Sequence, residues 1–115
     1  AGKFKILLKG DLNARTSSNT PSANDPVRIS KDDKPMSGRG RFLFRLCNDY
    51  DLVFISGAQC FGPSSGEFTS FQGSHRTVID YAICSRSLLP QIRSFKVEPQ
   101  IKGFDHAALV LEIEV

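Results

Sequence analysis

Three carboxylates, one carboxamide and one imidazole stand where the sequence lets them do chemistry. Asp11 and Asn13 follow a strand-like run, Lys3–Lys9, and lie two residues apart. If the backbone stays extended, both side chains point to the same side; both types also favour turns. Asp80 interrupts an apolar run, Val78-Ile79-Asp80-Tyr81-Ala82-Ile83. An ionised carboxylate buried there without a partner would be costly. Asp105-His106 stands just before the last strand-like run. An adjacent Asp and His can supply a metal ligand, or an oriented carboxylate, beside a general base. The imidazole of His106 is the natural partner for Asp80, because such a pair orients the ring and raises its basicity. A purely structural pair is the alternative. His75 falls in a polar turn and reads as incidental.

The elements that must position these groups follow from periodicity. Phe4, Ile6 and Leu8 alternate with lysines, and Leu7 adds an apolar group on the other face, so this strand is expected to be covered on both faces. Residues 14–38, rich in Ser, Asn, Asp and Pro, form a connection longer than usual and are expected to be functional or mobile. Phe42, Leu43, Leu46, Cys47 and Tyr50 make one apolar helical stripe, opposite Arg41, Arg45, Asn48 and Asp49. Leu52–Ser56 is a short buried strand. Phe68–Gln72 and Val78–Ser85 are expected to pair as a hairpin across residues 73–77. Ser85 to Arg93 reads as one or two helical turns, Ser94–Val97 as a strand, and residues 107–115 as a closing strand with Leu109, Leu111, Ile113 and Val115 inward. The expected fold class is α/β, a mixed β-sheet layered with helix, in one domain spanning 1–115. One helix covers one face of a sheet, so the other face is expected to be bare.

Composition is that of an ordinary globular chain, 40% hydrophobic and 23% charged among 115 residues. The net charge of +3 permits a phosphate-bearing partner without demanding one. Cys47, Cys60 and Cys84 lack zinc-ligand spacing and read as reduced thiols, which points to the cytoplasm or nucleus. No apolar run approaches the ~20 residues of a membrane span, and Ala1-Gly2-Lys3 does not begin a signal peptide.

Together the motifs resemble a known set. Gly10-Asp11-Leu12-Asn13 resembles the GDxN motif of the endonuclease/exonuclease/phosphatase family. Ile79-Asp80-Tyr81 with Ser85-Arg86-Ser87-Leu88-Leu89 resembles that family's (I/L)DY and S.SLL segment, and Thr69-Ser70-Phe71 its Thr/aromatic segment. Phe104-Asp105-His106 resembles its closing SDH motif, with Phe104 in place of the serine. The order holds from about residue 3 to 115. Gly10–Thr16 and Arg39-Gly40-Arg41 look more like the LINE-type retrotransposon branch than the abasic-site repair branch.

The resemblance implies a four-layer α/β sandwich of DNase I type, of which this chain corresponds to the C-terminal half. It implies hydrolysis of a nucleic-acid phosphodiester by water, assisted by Mg²⁺ or Mn²⁺. On that reading Asp11 positions or deprotonates the water, Asn13 holds a phosphate oxygen, and His106, oriented by Asp80, contacts the phosphate or acts as base. Asp105 and Asp11 bind the metal weakly, and Thr69, Phe71, Arg15 and Arg39 contact substrate. The family's N-terminal half carries a principal metal-binding glutamate, so whether this chain acts alone or together with that half stays open. A bare sheet face would be covered by it or by a second copy of this chain in a homodimer. The competing expectation is a catalytically silent module that binds nucleic acid or protein. A phosphatase acting on sugar or inositol phosphates is disfavoured by GDLNART and the basic character.

Overall fold

In the computed structural model, which describes residues 5–99 and 102–114, the chain is a mixed α/β domain. Strand β1 (Leu7–Asp11) leads through a long loop to helix α1 (Gly38–Tyr50) and strand β2 (Leu52–Phe54). Strands β3 (Ser70–Gln72), β4 (His75–Thr77), β5 (Asp80–Ser85), β6 (Ile92–Val97) and β7 (Leu109–Ile113) follow. Short 3-10 turns occupy Gln59–Phe61 and Arg86–Gln91. Phe4 and Val115 of the expected first and last strands lie outside the described residues.

The strands form three small sheets, β1-β5-β2, β3-β4 and β6-β7, and every strand pairing among the described residues is antiparallel. This corrects the expected mixed sheet. The crossover through α1 does make β1 and β2 run in the same direction, but β5 inserts between them. The expected hairpin is also corrected. β3 turns at Gly73, where φ is +60°, and pairs with β4, whereas β5 pairs with β1 and β2. The run of apolar residues in β5 marks a central strand with both faces buried.

Alternation along β5 builds two cores. Tyr81 and Ile83 face α1, packing with Leu43, Cys47, Leu52 and Phe54. Ala82 and Cys84 face the other way, against Leu88, Ile92, Phe95, Val97 and Ala107. The expectation of a bare second face is therefore corrected. The β6-β7 hairpin and the turn at Leu88 cover it, a role that counting helices alone had missed. Exposed apolar surface survives instead at the start of β1, where Ile6, just before the strand, and Leu7 and Leu8 on it are 38%, 43% and 37% exposed.

Helix α1 docks on a different stripe from the expected one. Gly40, Leu43 and Cys47 are buried and Phe44 packs on the core, whereas Phe42 and Tyr50 lie in solvent. The cause is Gly40, where an added Cβ would sit 2.1 Å from the Arg15 carbonyl oxygen. Close approach at this glycine turns the helix onto the 40/43/44/47 spacing. Ser37 caps its start by accepting the Gly40 N–H, and Asp51, at φ +53°, ends it.

The loop at 14–38 is anchored to the body at buried Thr16, Asp25, Arg28 and Asp32. The Arg28 guanidinium donates to the Ser56 and Asn19 carbonyls and the Thr16 hydroxyl, and lies 4.4 Å from the Phe54 ring centroid. Burial pulls its pKa down to about 10. Arg86, from the SRSLL segment, ties Asp25 to Asp51 at 2.7 and 2.9 Å.

Candidate active site

Register brings the first two carboxylates together. Asp11 pairs directly with Asp80 across β1 and β5, and directly paired residues of an antiparallel ladder point to the same face. That face is the one carrying Ala82 and Cys84, toward which the segment before β7 descends. Gly10, one residue earlier, has φ +143°, and a Cβ there would meet nothing within 4 Å. Its requirement is conformational, not spatial.

Thr69 sets the third group. Its Oγ1 accepts the N–H groups of Ile79 and Asp80 at 3.0 and 3.1 Å, while its carbonyl accepts the Ala107 N–H. The Phe71 N–H donates to the Asp105 carbonyl, and Ser70 bridges His106. One short stretch, 69–71, thereby fixes the backbone on both sides of the Asp80–His106 pair.

The pair itself is close. His106 Nδ1 lies 2.9 and 3.1 Å from the two carboxylate oxygens of Asp80, whose side chain is 8% exposed. The hydrogen bond with Asp80 raises the His106 pKa against desolvation, helped by the charges of Asp80, Asp11 and Asp105. An Nδ1–H directed at Asp80 leaves Nε2 facing Asp11 Oδ2 at 3.9 Å. This separation is too long for a direct hydrogen bond and can be bridged by a small group. The other oxygen, Asp11 Oδ1, accepts the Asn13 N–H at 2.8 Å. Candidate ligand atoms of Asp11, Asp80 and His106 all fall within 4.8 Å of one another.

A cleft of about 400 Å³ is lined by Asn13, Arg15, Ser37, Ser70, Gln72, His75, Thr77 and Ile79; none of the three cluster residues lines it, but Asn13, Ser70 and Ile79 adjoin them through a hydrogen bond, a strand bridge and the chain. Asn13 reaches it from a left-handed backbone, φ +49°, not from the extended one that the spacing suggested. Arg15 lines it as well.

The remaining sequence candidates sit elsewhere. Asp105 is outside the three-residue cluster, with its carbonyl committed to Phe71. Thr69 is 1% exposed, its hydroxyl taken up by the N–H groups of Ile79 and Asp80. Phe71 lies on the opposite face of the β3-β4 hairpin, over a second recess that it shares with Arg76, Lys31 and Lys96. Arg39 lines a third recess with Leu12, Ala14, Phe42 and Leu43. His75, dismissed as incidental, lines the cleft, as do Ser37 and Gln72. Ser37 was legible as a helix cap ahead of Gly38–Gly40, but no pattern in the sequence marks His75 or Gln72.

Comparison with known proteins found no matching family model, no matching curated protein and no matching solved structure.

Proposed function

We propose that the chain is a metal-dependent phosphodiesterase acting on nucleic acid, built on the pattern of the endonuclease/exonuclease/phosphatase family. The observation that carries this reading is a single one. A buried carboxylate, Asp80, holds Nδ1 of His106, so that Nε2 faces a second, exposed carboxylate, Asp11, beside a polar cleft.

The donor set suits a hard divalent cation in part. Asp11 Oδ2 is the oxygen free to hold Mg²⁺ or Mn²⁺, with Asp80 behind it, and a site this sparse leaves coordination places for water and substrate phosphate. Such an ion would stabilise charge on the phosphorus centre and acidify a bound water. The side chains do the rest. Asp80 keeps the imidazole in one tautomer and orientation. In the neutral ring Nε2 is an acceptor placed to take a proton from water; in the protonated ring it donates to a phosphate oxygen. Asp11, fixed by the Asn13 N–H, orients the water from the opposite side. Asn13 and Arg15 offer a carboxamide and a guanidinium to the phosphate in the cleft.

Incubating the chain with Mn²⁺ and a labelled oligonucleotide tests the reading. Hydrolysis is expected, with Asp11→Ala and His106→Ala each falling to background. Activity that survives both substitutions would place the cleavage elsewhere. Binding of the oligonucleotide without hydrolysis, at any Mn²⁺ concentration, would favour the silent binding module.

A further inference from the structure

Arg15 is an unusual cleft residue because both its ends are held. Ser37 Oγ accepts the Arg15 N–H at 3.0 Å, and the Ser37 N–H donates back to the Arg15 carbonyl at 3.0 Å. At the other end Arg15 Nε forms an ion pair with Asp32 Oδ2 at 3.4 Å, a charge contact without hydrogen-bond geometry. Asp32 comes from the middle of the long loop, is 5% exposed, and also accepts the N–H groups of Val78 and Lys34 at 3.1 Å each. Among the described residues no side-chain or backbone acceptor takes a hydrogen bond from the Arg15 guanidinium, so Asp32 steers it by the ion pair alone.

We infer that Asp32 is a positioning residue, which holds the Arg15 guanidinium by its Nε so that the terminal N–H groups present a fork to a substrate phosphate in the cleft. This rests on the phosphodiester reading above. A long surface arginine left to itself loses rotamer freedom when it grips a phosphate; one already held by Nε loses less. Asp32 is buried and fixed well enough to do this, because its two hydrogen bonds anchor it to the loop at Lys34 and to Val78, which leads into β5.

Charge alone predicts the opposite of positioning, and that makes the test decisive. Removing the Asp32 carboxylate makes the cleft more positive and should tighten binding of a polyanion if Asp32 acts only through its charge. Positioning predicts weaker binding. The measurement is fluorescence anisotropy of a fluorescein-labelled single-stranded oligodeoxynucleotide, with EDTA and again with Mn²⁺, over a range of salt. Asp32→Asn is expected to weaken binding about tenfold. It should also lower the salt slope by about 0.7, the loss of one phosphate contact on a single strand. Arg15→Gln should do the same, and the double variant should be no worse than Arg15→Gln alone. A folded Asp32→Asn protein with wild-type affinity, or with tighter binding, overturns the inference and leaves the phosphodiester reading standing. A wild-type protein that binds no oligonucleotide under either condition overturns the phosphodiester reading itself. Should Asp32→Asn not fold, nitrogen-15 spectra of wild-type arginine side chains decide. The Arg15 Nε–H signal is expected to move on addition of the oligonucleotide. A signal unmoved at saturation overturns the inference.

Discussion

At the scale of residues, the Asp80–His106 pair is a titrating contact as well as a candidate catalytic one. Asp80 favours the protonated ring, so the His106 pKa is raised in the folded chain. A raised folded pKa means stabilisation that is fully present below the unfolded value of about 6.5 and is lost as pH rises through the folded value. In EDTA the melting temperature is therefore expected to fall across that window in the wild type and to stay flatter in His106→Gln; equal slopes would show that the pair contributes nothing. Thiol chemistry offers a second check at this scale. Burial pushes Cys47 up to about 12 and Cys84 to about 11, whereas Cys60 is exposed. Iodoacetamide on the native protein should label Cys60 alone, read by peptide mass spectrometry. Rapid labelling of Cys47 would contradict the packing of α1 on β5.

Among the elements, the stretch 69–71 does the most to place the site, and its role is testable through one methyl-for-hydroxyl exchange. Thr69→Val keeps the shape but leaves the N–H groups of Ile79 and Asp80 without their acceptor. The expected loss is about 1–3 kcal/mol by urea denaturation, and under the proposed phosphodiesterase reading hydrolysis should fall further, because Asp80 loses its anchor. An unchanged midpoint would remove Thr69 from the frame. The sequence made part of this frame legible and hid the rest. A carboxylate in the apolar run at 80 announced its own need for a partner, and only two histidines were available to supply one. Asp11 was legible as a strand-end residue. The role of Thr69 was not, because a threonine whose hydroxyl serves two backbone donors looks in sequence like any strand threonine. Nor was Asp32, since nothing in a polar loop distinguishes the aspartates that turn inward, Asp25 and Asp32, from exposed Asp33. The helix stripe was misplaced by one residue type: a glycine has no side chain to count in an apolar pattern, yet Gly40 makes the closest approach.

For the whole molecule, what matters is which apolar surface the chain leaves open. The sheet faces on either side of β5 are filled, one by α1 and the other by the β6-β7 hairpin. β1 is different. It pairs with β5 along one edge only, and no other strand among the described residues lies along its second edge. Leu7 and Leu8 point to opposite faces and both remain more than a third exposed, and Ile6 beside them is equally open. An exposed apolar edge strand is a template for another strand, and proteins usually blunt such edges with charge. Lys9 does not serve as a free gatekeeper here, since its Nζ reaches across to the Leu109 carbonyl at 2.9 Å. The expected consequence is association through β1, by edge pairing with a second copy or with a separate strand-bearing half, and not through a bare sheet face. Light scattering on the purified chain should show a mass that rises with concentration. Leu7→Lys should return it to that of a monomer while leaving β5 packing, and hence the circular dichroism, unchanged. A wild-type chain that stays monomeric at every concentration and binds no hydrophobic dye would mean that three exposed side chains at the start of one strand are too small a patch to drive association.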